Sequence, residues 1–136
     1  MTDTAVRLTP PDLAAIEALA RAAIARLPAP YRAAAGAVAL RVEDFPTEAM
    51  LDDLGAEDPF EITGLYDGIP LTEKSVSDQP QGPDVIWLFR RPILDEWCER
   101  GDVAIGTLVA HVVVHELAHH FGWTDAQIAA IDRWWE

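Results

Sequence analysis

His115-Glu116-Leu117-Ala118-His119 brings together the residues of this chain best suited to chemistry. The pattern is H-E-x-x-H, inside the apolar run from Val112 to Phe121. On a helix the two histidines lie about 40° apart around the axis and roughly 5.4 to 6 Å apart along it. Both imidazoles can therefore reach one ion from one helix face. Glu116 lies about 100° round from His115, at the margin of that face. From there its carboxylate can take a proton from water without itself being a ligand.

Such a centre needs a third protein ligand, with the fourth position left open. Asp125 is the leading candidate, at H-E-x-x-H-x-x-G-x-x-D spacing. Gly122 can adopt positive φ, so the chain can leave the helix and turn back toward His119. A first-turn aspartate is also favoured by the helix dipole alone, and both roles are compatible. Two histidines and a carboxylate also describe an iron(II) facial triad, but a helical H-E-x-x-H with its own base favours zinc, one ion per chain. Apolar neighbours add a second argument: two imidazoles and a carboxylate among Val109, Val112, Val113, Val114, Leu117 and Ala118 are costly unless paired or metal-bound.

His111 and His120 complicate the register. His111 is about 12 Å from His119 along the axis, too far to share an ion with it, and reads as a satisfied or partly exposed residue one turn before the site. His120 points about 100° away from His119 and reads as packed behind the ligands. Tyr66, Arg90 and Arg91 are candidates to stabilise an oxyanion, although nothing in the sequence brings them to the metal. Trp87, Leu88 and Phe89 could form an edge that pairs with an extended peptide; ordinary core packing is the competing reading.

The elements that must position these groups follow from periodicity and breakers. Thr9-Pro10-Pro11-Asp12 reads as a helix start with Thr9 as cap, and Leu13, Ile16, Leu19, Ala20, Ile24 and Leu27 form a helical stripe that Pro28 and Pro30 end. Val38, Leu40 and Val42 alternate with polar or small residues, as in a strand. Residues 46–54 suggest a short helix stopped by Gly55, and 60–66 a strand before the turn at Asp67-Gly68. Lys74 to Pro83 reads as an exposed loop. The compact apolar run of Val85, Ile86, Trp87, Leu88 and Phe89 predicts a well-buried strand, and Pro92 to Glu99 a helix. Val103 to Phe121 predicts a long central helix stopped by Gly122, with a last helix opening at Thr124. Ile128, Ile131 and Trp135 of that last helix are expected to pack on the long one. Helix, strand, helix, strands and helices in that order predict an α+β fold, one domain over residues 1–136, with a small sheet packed against the long helix.

The chain has 136 residues, half of them hydrophobic, enough for one core. Its formal net charge is −13, from 23 acidic and 10 basic residues. Nucleic acid and anionic membrane surfaces would be repelled. The acidic stretch Asp52 to Glu61 reads as a solvated face. A single cysteine, Cys98, excludes an internal disulfide and is expected to be a small buried residue. Met1-Thr2-Asp3-Thr4 does not open a signal peptide, and no apolar run approaches the roughly 18 residues of a membrane span. A cytoplasmic setting is expected, with a peptide or protein substrate.

On His115-Glu116-Leu117-Ala118-His119-His120-Phe121-Gly122 and Asp125, with Gly64-Leu65-Tyr66, Gly68-Ile69-Pro70-Leu71 and Asp84-Val85-Ile86-Trp87-Leu88-Phe89, the chain resembles the small bacterial zincin-like metallopeptidases, or minimal zincins. The likeness spans roughly Val38 to Ile128. It implies a compact zincin-like fold with the active-site helix against a small sheet, His115, His119 and Asp125 as metal ligands, and Glu116 as base. No methionine follows the site, so a metzincin-type Met-turn is absent. Little chain follows Asp125 to wall a cleft, which leaves open the alternative of a catalytically silent, zinc-stabilised binding or regulatory domain.

Overall fold

A computed structural model describes residues 9–68, 84–123 and 126. The expected loop from Lys74 and the expected last helix from Thr124, with its packing residues, lie outside them. The first helix, α1, runs Leu13–Ala25. Its cap is Asp12 rather than Thr9: Asp12 Oδ1 accepts from the Ala15 N–H at 2.8 Å, whereas Thr9 sits four residues before the first helical position, out of reach. Its apolar stripe is buried at Ile16, Ala20 and Ala23. The prolines do end α1, but Pro30 also starts α2, Ala29–Ala35, from the opening turn where a missing N–H costs nothing.

Strand β1 is Ala39–Glu43 and helix α3 is Glu48–Leu54. Thr47 caps α3, and Gly55, at φ 68°, closes it. Residues 60–66 divide: Pro59–Glu61 is a 3-10 turn whose Phe60 N–H bonds Asp58 Oδ1 at 3.0 Å, and only Gly64–Asp67 forms strand β2. Asp52, Asp53, Glu57, Asp58 and Glu61 are all exposed. Strand β3, Val85–Phe89, leads directly into α4, Arg90–Arg100. Cys98 is exposed rather than buried. Helix α4 packs through Pro92, Ile93 and Trp97, and Cys98 lies a further 100° round from Trp97.

The sheet has the order β1-β3-β2, with β1 parallel and β2 antiparallel to β3. Strand β3 is thus central, which corrects the reading of Trp87, Leu88 and Phe89 as an edge for peptide pairing: both sides of their backbone are engaged. Their apolar content has the ordinary cause, since Ile86, Leu88 and Phe89 are buried in the core.

Helix α5, Ile105–Phe121, is the axis of the fold. It packs on α1, β2, β3 and α4. Enclosure from several sides explains why its sequence is apolar almost all round, with Leu108, Val109, Val113 and Leu117 at 0–1% exposure. The helix ends in a Schellman turn: Gly122, at φ 72°, donates to the His119 carbonyl, and Trp123 N–H reaches back to the Ala118 carbonyl at 3.0 Å. The architecture is α+β, with a small sheet against the long helix. Among the described residues no helix is long and apolar enough to cross a membrane.

Candidate metal centre

One row of α5 escapes enclosure. His111, His115 and His119 succeed one another at intervals of four, and His119 is exposed. The rings of His115 and His119 meet edge to face with centroids 5.2 Å apart. Potential ligand atoms of His115, Glu116 and His119 all lie within 4.8 Å of one another. Two imidazoles and a carboxylate so close form a donor set that suits a divalent transition metal, zinc included. His111 stands outside the group and stacks on His115 with ring centroids 6.3 Å apart. Asp125 lies outside the described residues.

Glu116 is held from the sheet side. Burial pushes its carboxyl up to about 7, and a backbone hydrogen bond from Tyr66 works in the opposite direction. The register explains why that N–H is available. Phe89 N–H bonds the Thr63 carbonyl at 3.0 Å, so residues 63, 65 and 67 exchange hydrogen bonds with β3. Gly64 and Tyr66 then turn their backbone groups away from β3. Gly64 makes the approach possible: a Cβ there would lie 2.8 Å from Val112 Cγ1 and 3.2 Å from Glu116 Cγ. Glycine is needed here for closeness of backbone to helix.

Thr63, Glu96 and Arg100 form one side of a solvent-open cleft, with His111, Val112, His115 and Glu116 on the other. Glu116 and the imidazoles of His111 and His115 therefore face space that a ligand can enter. Arg100 pairs with Glu96 at 3.4 Å on the rim.

Behind the helix lies a second polar cluster. His120 is 2% exposed, and its Nδ1 is 2.9 Å from Asp84 Oδ2, itself on a side chain only 10% exposed. Tyr66 donates its hydroxyl to the same oxygen at 2.7 Å. Burial, then the hydrogen bond and charge of Asp84, hold the Tyr66 phenol well above the ordinary tyrosine value, so it stays a donor. Asp84 and Gly64 are not candidates on spacing, because their partners lie far along the chain, 18 and 36 residues away for Asp84; only the glycine- and aspartate-bearing segments of the family likeness hint at them.

Arg90 and Arg91 do not approach the site. Arg90 bonds the Pro11 carbonyl at 2.6 Å and Asp44 at 3.2 Å, while Arg91 lies over the Phe45 ring. Both tie the start of α4 to neighbouring loops.

A family model described as zincin-like metallopeptidase matches residues 35–135, a span that takes in the whole sheet and all of α5. No curated protein matches the chain.

Proposed function

The chain belongs to the zincin-like metallopeptidase family, and on that premise we propose that it is a zinc-dependent hydrolase of peptide bonds. His115, His119 and Asp125 hold one ion, Glu116 is the general base, and the protein acts in the cytoplasm on a peptide or protein. The observation that carries the reading is the convergence of His115, Glu116 and His119 within 4.8 Å beside an open cleft. Bound zinc supplies polarisation of a scissile carbonyl and a more acidic water.

The chain's own residues do the rest. Glu116 takes a proton from the attacking water and returns it to the leaving amine. In the metal-free protein burial holds this carboxyl at about 7, so its surroundings favour the protonated form through which such an exchange must pass. The Tyr66 N–H favours the charged form of that carboxylate from the sheet side. The cleft also weighs against a silent zinc-stabilised module, for which a sealed centre would suffice.

Glu116→Gln tests the assignment. Zinc content by elemental analysis should stay near that of the parent, and hydrolysis of a peptide library should fall by about 100-fold or more. Undiminished turnover would remove Glu116 as base. Iron in place of zinc in the parent protein would favour an oxygen-activating centre instead.

A further inference from the structure

Asp84 occupies an unusual position. It opens β3, where its carbonyl accepts from the Ala39 N–H at 2.8 Å and begins the parallel ladder to β1. Its carboxylate lies inside the protein, between the edge strand and the active-site helix. Gly68 leaves the room for it: a Cβ at that position would sit 2.5 Å from the Asp84 carboxylate. One oxygen, Oδ2, receives the Tyr66 hydroxyl at 2.7 Å and faces His120 Nδ1 at 2.9 Å. Those two partners are not arbitrary. Tyr66 is the residue whose outward backbone N–H acts on the Glu116 carboxylate, where Gly64 brings β2 within 3.2 Å of Glu116 Cγ, and His120 directly follows His119.

The geometry points to Asp84 as a positioning residue that, through Tyr66, sets the carboxylate of Glu116 on the cleft side of α5. The role rests on the hydrolase reading above for its catalytic consequence, but not for its structural content. Among the described residues β2 pairs with β3 alone, so the outward N–H of Tyr66 meets no further described strand to fix its direction. Pinning the phenol from the far side limits rotation of that peptide unit. Asp84 also joins this pinned residue to α5 through His120, so strand and helix keep a common frame at the site. The hydrogen bonds are short and largely shielded from solvent, and both meet a carboxylate, which suits them to hold an orientation.

The experiment compares Tyr66→Phe, Asp84→Ala and Asp84→Asn with the parent. Backbone amide exchange is followed by NMR in the metal-free full chain. Exchange at the residue 66 amide should speed up about 10-fold in Tyr66→Phe and Asp84→Ala. The amides of Leu65 and Asp67, which face β3, should be unchanged. Asp84→Asn, which keeps an acceptor, should restore most of the protection. Glu116→Ala should expose the same amide, which ties the readout to that bond. In the zinc-loaded protein, kcat on a cleaved peptide should fall about 10-fold in the first two variants, with KM and zinc content unchanged.

Unaltered exchange at residue 66 in both variants would overturn the role, and so would an equal rise at residues 65, 66 and 67, which marks general loosening. Tyr66→Phe removes one hydroxyl and decides the matter if Asp84→Ala fails to fold. Should the parent cleave no peptide, the hydrolase reading fails separately, and the exchange data still decide whether Asp84 orients the Tyr66–Glu116 bond.

Discussion

His119 and His120 are chain neighbours with opposite surroundings. His119 is exposed and shares a tight donor group with His115 and Glu116 at the edge of a cleft. His120 is sealed among Asp84, Tyr66 and the core, at 2% exposure. A rotation of 100° along α5 separates the two settings. The outer cluster gathers ligand types around a space that an ion would complete. The inner cluster already matches donors to a buried acceptor. Candidate ligand and buried architecture thus fall to adjacent residues of one helix, and a hydrogen-bonded inner cluster suits an outer one that must stay accessible without losing its geometry.

Paired substitutions give the largest expected contrast. His119→Ala should lower zinc content, measured by elemental analysis, from near one per chain to background while the metal-free chain melts close to the parent. His120→Ala should do the reverse. It leaves Asp84 buried with a partner missing, at a cost of roughly 3 kcal/mol, and thermal unfolding should shift down by roughly 10 °C. The folded fraction should still hold zinc. The comparison breaks if His120→Ala loses its metal while folded, or if His119→Ala melts as low as His120→Ala in the presence of chelator.

The two clusters also differ in how far they could be read from the sequence. The outer one was legible because helical spacing converts directly into proximity: residues 115, 116 and 119 need only that α5 be a helix, and its apolar run secures that. The α+β class followed from the same periodicities. The inner cluster depends on contacts across 36 and 54 residues, which no local pattern encodes. Strand order was illegible for the same reason, so β3 looked like an available edge when it is central. Smaller misreadings were competitions between adjacent options. Thr9 and Asp12 both suit a cap, and only the helix start at Leu13 decides between them. Pro30 can end one helix or begin another, and here it begins α2.

Acidity offers an intermediate effect that isolates Glu116. In the metal-free protein its carboxyl titrates at about 7, against an ordinary value of 4.5. Between these values the folded state holds a proton that the unfolded chain releases, so this group's stabilisation is complete below 4.5 and is lost as pH rises through 7. The change is on the order of 3 kcal/mol at most. Self-repulsion of a chain with net charge −13 has the same sign, so the parent alone is not diagnostic. Glu116→Gln removes only the carboxyl. Chemical denaturation at pH 5 and pH 8 in chelator should show a smaller loss in this variant than in the parent. Equal losses would mean that Glu116 is not protonated in the fold and that the inner side of α5 does not desolvate it.

The smallest effect concerns the seam where the clusters meet. Gly64 lets β2 lie close enough to α5 for the Tyr66 N–H to reach Glu116. In Gly64→Ala the new methyl would lie 2.8 Å from Val112 Cγ1. Val112 is 5% exposed and β-branched, so its rotamer gives little, and the strand must move outward instead. A loss of about 1 to 2 kcal/mol is expected by denaturant titration. Val112→Ala should cost stability alone, by opening a cavity, yet relieve the clash when combined with Gly64→Ala. The double variant should therefore be more stable than the two separate losses predict, by about 1 kcal/mol. Strict additivity would mean that strand and helix are not in contact there, and that closeness at Gly64 is not what brings β2 to Glu116.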